Sequence, residues 1–388
     1  MESLTRPTWV EIDLDNLVHN YHEIRDKLKS HTDIMAVVKA DAYQHGAEVI
    51  VRTLKTEGVK IFGVAHLSEA LHIRKYHKDI DILIMGYTPD ELAVRATEKN
   101  ITMTVYLKEQ AEYLSKLAGD MEKKVKIHIK LDTGMNRLGF LPTLENIESL
   151  AEIYNMDNIE VEGIFSNFAD AGQNRLYTND QARKFAFVLD ELGKRNIYIK
   201  KKHIMDSVSL MSFYDYGYDL IRIGELLYGV YPLSKSDRKY IKIKSVLTLK
   251  STVSNIKEIY KGQSLGYGLT YKADKSMRVA TIPIGYADGM SRRLSNLGRC
   301  IVNGSYAPII GMISMDQLMI DIRAIEVKMG DEVVFMGSDG DKEISLEEIA
   351  EQIEEVPTSV LCMITKRVPR VYMKNGEISE IKDYLLEL

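Results

Sequence analysis

The chain has 388 residues, 45% hydrophobic and 28% charged, a balance that suits about two folded domains and argues against long disorder. Lys and Arg number 51 against 56 Asp and Glu, a net charge of −5 with no basic block, which argues against nucleic acid or an anionic membrane as partner. Two cysteines, Cys300 and Cys362, give neither a disulfide framework nor a zinc pattern and suit a reducing cytosol. Residues 1–10 carry no apolar leader-like run, and no later stretch approaches the roughly 18 apolar residues of a spanning helix, so the expected location is cytoplasmic.

In chain order, a short strand at Val10-Glu11-Ile12 and a helix from Leu14 to Leu28 come first. An alternating series follows: a strand over Ile34–Val38, a helix from Gly46 to about Thr56, a strand over Ile61–Ala65, and a helix from Glu69 to Tyr76 with Ser68 as its N-cap. The next strand is Asp81–Met85, with Pro89 in the first turn of the helix after it. Strands over Ile101–Val105, Val125–Leu131, Ile159–Phe165, Tyr198–Met205 and Leu220–Ile223 bring the series to eight. Eight βα units in about 230 residues predict a closed (β/α)8 barrel of the α/β class. The alternative, an open doubly wound sheet, lacks a Gly-rich fingerprint after the first strand.

Beyond a boundary near residue 235 the texture becomes β-rich. Strands are predicted over Val246–Val253, Ser264–Tyr271, Val279–Ile284, Pro308–Ile322 and Asp331–Met336. One helix, Ser345 to Ile353, opens on a capping-box pattern of Ser345 and Glu348, and Asn303-Gly304 and Asn375-Gly376 read as hairpin turns. The expected division is a barrel domain over 1–235 and a mostly antiparallel β domain over 236–388.

Barrels of this kind carry their active sites at the carboxyl ends of the strands. Lys39 follows Ala36-Val37-Val38 there; a lysine pushed against an apolar mouth is made nucleophilic, and the bland alternative is one that snorkels off the rim. Lys130 and Asp132 alternate to one face at the end of the fifth strand, where an ordinary ion pair would also explain them. Asp206-Ser207 after strand seven, and Arg222 and Gly224 at strand eight, supply the hydroxyl, the glycine and the helix start of a barrel phosphate site. His19 and His22 lie at helical spacing, but no ligand set completes a metal site. Phe213, Tyr214, Tyr216 and Tyr218 read as loop packing.

Several blocks of the chain resemble the alanine racemase family. Val37-Val38-Lys39-Ala40-Asp41-Ala42-Tyr43-Gln44-His45-Gly46 looks like its pyridoxal-phosphate lysine signature, and Lys130-Leu131-Asp132-Thr133-Gly134-Met135-Asn136-Arg137-Leu138-Gly139 is similar to a second block. Ile221-Arg222-Ile223-Gly224, Leu265-Gly266-Tyr267-Gly268, Pro283 to Gly289, Met315-Asp316-Gln317 and Arg367-Val368-Pro369-Arg370 match further blocks in the family's order, over nearly the whole chain.

The resemblance implies a pyridoxal 5′-phosphate enzyme with two bases. Lys39 would hold the cofactor through its amine and move the α-proton on one face, and Tyr267 would act on the other. Tyr43, Ser207 and the Gly224 amide would hold the phosphate, Arg222 would face the pyridine nitrogen, and Arg137 would support the phenolic oxygen. The Met315 amide, with Arg137, would bind the substrate carboxylate, and Lys130 occupies a position that the family often carries as a carboxylated lysine. Tyr267 and Met315 would enter the barrel of a second copy, which makes the expected assembly a homodimer with shared sites.

The departures from the family pattern are Asn167 in place of a histidine, Lys366 in place of a tyrosine that contacts the phosphate, and Asp170, Gly172 and Met312 near the entrance. They leave racemisation intact and open the question of a substrate larger than alanine, such as serine. An amino-acid decarboxylase is disfavoured by Arg222, which stands where those enzymes use a carboxylate. A carrier without turnover would need neither Tyr267 nor the β domain.

Overall fold

The computed structural model describes residues 4–212, 216–232, 238 and 240–386; the boundary near residue 235, Phe213 and Tyr214 lie outside the described residues. The chain opens with strand β1 (Thr8–Asp13), capped into a helix (Leu14–Arg25) by Asp13, whose carboxylate accepts from the Asn16 amide at 2.8 Å. Eight parallel strands follow: β2 (Asp33–Val37), β3 (Ile61–Val64), β4 (Asp81–Ile84), β5 (Thr102–Val105), β6 (Val125–Lys130), β7 (Ile159–Phe165), β8 (Lys201–His203) and β9 (Leu220–Ile223). They pair in the order β8-β7-β6-β5-β4-β3-β2-β9. β9 meets the segment just past the end of β8, through a bridge between Asp206 and Arg222 and a 3.1 Å bond from the Arg222 amide to the Met205 carbonyl. That closure makes the sheet a barrel, as the sequence predicts.

Alternation divides strands such as β2 between two apolar environments, which explains their near-continuous hydrophobic runs. Ile34, Ala36 and Val38 join the large core beneath the surrounding helices, whereas Met35 packs with Ile61, Leu83 and Leu220 in a separate cluster of the inner face.

The second sheet is built from β10 (Leu247–Thr252), β11 (Asn255–Ile259), the short pair β12 (Ser264–Leu265) and β13 (Tyr271–Lys272), β14 (Met277–Ile282), β15 (Arg299–Val302), β16 (Ser305–Ile310), β17 (Leu318–Asp321), β18 (Glu332–Asp339), β19 (Lys342–Ile344), β20 (Arg370–Lys374) and β21 (Glu377–Lys382). β12 and β13 pair only with each other; the rest order as β11-β14-β17-β16-β15-β18-β10-β1-β20-β21, with β19 on β18. β1 lies inside this sheet, antiparallel to β10 and parallel to β20, so the first strand of the chain is a member of the second sheet. Asn303-Gly304 and Asn375-Gly376 both turn with positive φ at each residue, as two-residue hairpins require.

Several local expectations are corrected. His66, not Ser68, precedes the helix Leu67–Tyr76, and the Ser68 hydroxyl bonds the His66 ring instead. Ser345 caps its helix by accepting from the Glu348 amide, but the Glu348 carboxylate is taken by Arg299 in a two-point ion pair, so the capping box is only half formed. The single strands predicted over Ser264–Tyr271 and Pro308–Ile322 are each broken by a turn, and those turns carry Tyr267 and Met315. The helix Pro357–Met363 and strands β11 and β19 were not anticipated, and β15, β20 and β21 were implied only by the two hairpin turns that they flank.

Gly163 of β7 stands opposite His128 of β6, and a Cβ at that position would lie 2.5 Å from the imidazole. The ring is fully buried and cannot retreat. Gly163→Ala should therefore lower the unfolding free energy by about 1–3 kcal/mol through overpacking. Urea unfolding at unchanged m-value measures it, and a midpoint equal to wild type would show that the ring has room to move.

Candidate active site

A cavity of about 330 Å³ opens at the carboxyl end of the barrel, lined by Lys39, Tyr43, Arg137, Asn167, Ser207, Arg222 and Gly224 together with Phe165, Asp206, Glu225 and a few apolar residues. Its size is that of a small-ligand site. Seven residues singled out in the sequence therefore converge on one cavity from five different strand ends.

Lys39 arrives there through an unusual backbone. After β2, residues Ala40, Asp41, Ala42, Tyr43 and Gln44 all have positive φ, between 52 and 69°, and form one left-handed helical turn closed by Ala42 N to Val38 O and Gln44 N to Ala40 O, each 2.9 Å. Left-handed helix costs an L-residue about 1–2 kcal/mol, so such a turn persists only where its surroundings over-determine it. It presents Lys39 at an exposed position in the mouth, its ammonium 5.9 Å from the Tyr43 ring centroid. The lysine is thus not sunk into the apolar barrel as the strand pattern suggested. Tyr43 itself is half-buried against Tyr228, and desolvation first, then Glu225, holds its phenol in the protonated form.

Across the cavity Asp206 caps a short helix (Ser207–Met211) and the Ser207 hydroxyl accepts from the Gly224 amide at 3.3 Å. A Cβ on Gly224 would stand 2.6 Å from the Tyr43 hydroxyl, so only glycine leaves this hydroxyl-and-amide cradle open. Ser207, Tyr43 and Gly224 face one another as a phosphate-sized set of donors, and pyridoxal phosphate fits their chemistry. Glu225, the next residue, adds a carboxyl that burial and Asp206 push up to about 7 against the opposing pull of Lys39.

Arg222 is 4% exposed and gives its guanidinium to the Ser166 carbonyl at 2.9 Å and to the His203 Nδ1 at 2.9 Å. Because arginine can only donate, His203 Nδ1 accepts, its Nε2 carries the proton, and that proton goes to His128 Nδ1 at 2.9 Å. Burial followed by the nearby cations, Arg222 among them, drives both imidazoles well below their usual range, His128 to about 3, so each stays neutral. Arg222 itself is lowered by burial to about 10 and remains charged at neutral pH.

Lys130 lies beneath, with its ammonium 2.7 Å from the Leu131 carbonyl and 5.4 Å from the Phe165 ring centroid. Burial, then Arg222, lowers it to about 7, with Asp132 opposing. The ion pair with Asp132 is not formed; the Asp132 carboxylate instead accepts from the Gly134 and Asn136 amides at 2.9 and 3.0 Å. Those bonds shape a loop that returns at Phe140 and throws Arg137 over the cavity. Gly139 permits the return, since a Cβ there would lie 2.4 Å from the Asp132 amide nitrogen.

The remaining candidates lie elsewhere. Tyr267 is 75% exposed and lines a separate groove of the second sheet with Met312, Ser314 and Gln317. Met315 is exposed beside it; its carbonyl accepts from the Ala287 amide, and Arg367 binds the neighbouring Asp316 at 2.8 Å. Lys366 does not line the cavity: its ammonium sits 5.0 Å from the Tyr384 ring centroid. Asp170 is an exposed loop residue that accepts from the Gln173 amide. Sequence reasoning missed Glu225, although it adjoins Gly224, and the pair His128 and His203, whose alternation with apolar residues marked them only as strand positions.

Residues 12–232 match the family of alanine racemase N-terminal domains and residues 246–372 that of alanine racemase C-terminal domains. Alanine racemase 1 of Clostridium acetobutylicum is 43% identical over 382 residues, 98% of this chain and 99% of that protein. The solved alanine racemase of Clostridium difficile 630 superposes with a TM-score of 0.95 at 37% identity, covering 99% of this chain and 100% of the other. A histidine racemase from Leuconostoc mesenteroides superposes with a TM-score of 0.85 at 27% identity, covering 96% and 99%. On full-length similarity of sequence and structure together, the chain belongs to the alanine racemase family.

Proposed function

We propose that this protein is a pyridoxal-phosphate amino-acid racemase that interconverts L- and D-alanine. The observation that carries this reading is the convergence of Lys39, Tyr43, Ser207, Arg222 and Gly224 on one cavity, in a chain similar to alanine racemases along its whole length. When bound, pyridoxal phosphate withdraws electrons from the α-carbon of an attached amino acid and makes its hydrogen acidic.

The chain's residues then have separate tasks. Tyr43, Ser207 and the Gly224 amide hold the phosphate. Arg222, charged and able only to donate, would stand at the pyridine nitrogen and keep a proton off it, so that the group would supply a weaker electron sink. Arg137 supports the phenolic oxygen and, with the Met315 amide, the substrate carboxylate; that amide has no acceptor among the described residues. Lys39 moves the proton on one face. Inversion needs a second group on the opposite face, and Tyr267 lies outside the Lys39 cavity of its own chain. We therefore assign Tyr267 and Met315 to the site of a partner copy, in a homodimer whose barrel (1–235) and β domain (236–388) exchange contributions.

Lys130, near half-neutral at physiological pH, can add carbon dioxide at its amine and release a proton; the resulting carbamate would face Arg137. Asn167 lines the cavity and a histidine racemase shares the fold, so a polar side chain such as serine's is the second reading for substrate. The free thiols Cys300 and Cys362 fit a cytoplasmic enzyme.

Purified protein supplied with pyridoxal phosphate should be yellow and convert L- to D-alanine, and Lys39→Ala should lose both properties. Mixing Lys39→Ala with Tyr267→Phe chains in equal amounts should recover up to about a quarter of wild-type activity, because half the dimers then hold one intact site of two. No recovery after demonstrated subunit exchange would place both bases in one chain.

Alone, Tyr267→Phe should slow α-proton exchange of one enantiomer by about 10²–10⁴-fold and that of its mirror image much less, the loss expected of one general acid–base group. Exchange into deuterated water followed for each enantiomer separately measures this. Equal losses in both would make Tyr267 structural.

Glu225 predicts a pH dependence. With its pKa raised from 4.5 to about 7, the folded chain keeps a proton over that window that the unfolded chain has released, so this group's stabilising contribution falls as pH rises across it. A bound phosphate adds negative charge beside it, so cofactor affinity should fall as Glu225 ionises. Glu225→Gln should bind pyridoxal phosphate several-fold to about tenfold more tightly at pH 8 and with a flatter pH profile. Fluorescence titration from pH 6 to 8.5 decides, and parallel profiles would remove Glu225 from the phosphate site.

A further inference from the structure

The left-handed turn Ala40–Gln44 is strained, and most of what restrains it comes from outside it. From the barrel, the Glu69 carboxylate accepts from the Ala40 amide at 2.7 Å and from the Ala65 amide at 2.8 Å. From within the loop, His45 Nδ1 donates to the Ala42 and Tyr43 carbonyls, each at 3.0 Å. The remaining restraints come from the far end of the chain. Arg370, fully buried, reaches the Gln44 carbonyl at 3.1 Å, and the Tyr372 hydroxyl bonds the His45 carbonyl at 3.1 Å. Gly46 is the price of that approach, since a Cβ there would lie 1.9 Å from the Tyr372 oxygen.

Asp41 sits at the centre of the turn. One carboxylate oxygen accepts from the Ala47 amide at 2.8 Å, which ties the turn to the next helix. The other accepts from the hydroxyl of Tyr384 at 2.8 Å. Tyr384 belongs to the tail beyond β21. Its ring lies 5.5 Å from the Arg370 guanidinium and 5.0 Å from the Lys366 ammonium, and its phenol is held protonated by burial and by Asp41, so it donates. Arg370 and Tyr372 are core residues of the second sheet, whereas Tyr384 contributes a single hydroxyl from a chain end.

We propose that Tyr384 is a positioning residue: its hydroxyl bond to Asp41 fastens the left-handed turn that presents Lys39 and Tyr43, and so sets how long the cofactor is retained. The retention half of this rests on the reading that Lys39 and Tyr43 hold pyridoxal phosphate; the fastening half does not.

The test compares wild type, Tyr384→Phe and a chain ending at Lys382. Hydrogen exchange of the Ala42, Gln44 and Gly46 amides reads the turn directly, since each is bonded within it. Loss of a hydrogen bond to a charged group should speed their exchange by roughly tenfold or more, while amides of β3 and β4 keep wild-type rates. Release of pyridoxal phosphate into excess scavenger should accelerate several-fold in both variants, and Asp41→Asn, which keeps one acceptor oxygen for the Ala47 amide and turns the other atom into a donor that the Tyr384 hydroxyl can meet only by accepting, should fall between them and wild type. Unchanged exchange at the three amides, or the same acceleration throughout the barrel, would overturn the proposal. Faster exchange with unchanged release would overturn the link to retention. If wild type itself holds no cofactor, the functional reading falls, and the exchange data still decide whether Tyr384 fastens the turn.

Discussion

A cation that cannot be neutralised sits in the barrel mouth, and much of the surrounding structure follows from it. Burying a guanidinium without partners would cost several kcal/mol, so Arg222 must be surrounded by acceptors. The Ser166 and Ile204 carbonyls and the His203 ring supply them. The His203 ring can accept only while neutral, and the position of its proton then fixes the orientation of His128. The His128 ring in turn fills space that Gly163 leaves empty on the next strand. A glycine two strands from Arg222 is thereby tied to the tautomer of the residue that holds it. Burial first, and then the same charge, leave Lys130 poorly able to keep its proton, so one permanent cation stands above one amine poised near neutrality.

The second constraint runs between the two sheets. β1 pairs with both β10 and β20, so the chain begins in the second sheet before it enters the barrel, and the two units share a backbone ladder from the start. β20 then reaches the left-handed turn through Arg370 and Tyr372. The turn that carries Lys39 is held by residues more than 300 positions away in sequence. A fragment comprising the barrel alone would lack the bonds from Arg370, Tyr372 and Tyr384 and keep those from Glu69 and His45.

This division explains what was legible in the sequence. The barrel was legible because strands such as β2, β3 and β9 are buried on both faces and read as short apolar runs, and because the motif residues fall at strand ends. The second sheet was read less well. Strands such as β11 and β21 lie at sheet edges with exposed faces, and β12 and β13 have two residues each, too few to show alternation. Tyr267 and Met315 were found from motif resemblance, although their segments were read as continuous strand; it is the breaks, with Gly266 and Gly268 at positive φ, that expose them. The left-handed turn left no propensity signal at all. Its five residues include no glycine, and the contacts that restrain it, from Glu69 and from the distant Arg370, Tyr372 and Tyr384, leave no mark on the local sequence.

The departures from the family pattern also sort themselves by position. Asn167 lines the cavity with Lys39, and Met312 lines the groove with Tyr267, so each stands beside one of the two proposed bases. Asp170 and Lys366 stand beside neither. Lys366 packs over the Tyr384 ring, and a cation held there supports the tail rather than the substrate side chain. On the proposed two-base reading, substrate preference would depend on the amide of Asn167 on the lysine side and the thioether of Met312 on the tyrosine side. An amide can bond a hydroxyl that a methyl group lacks, whereas a flexible thioether discriminates weakly by shape. The polar contact that would admit serine is therefore to be sought at Asn167, and the swap at Lys366 has its consequence in how the chain's end is held.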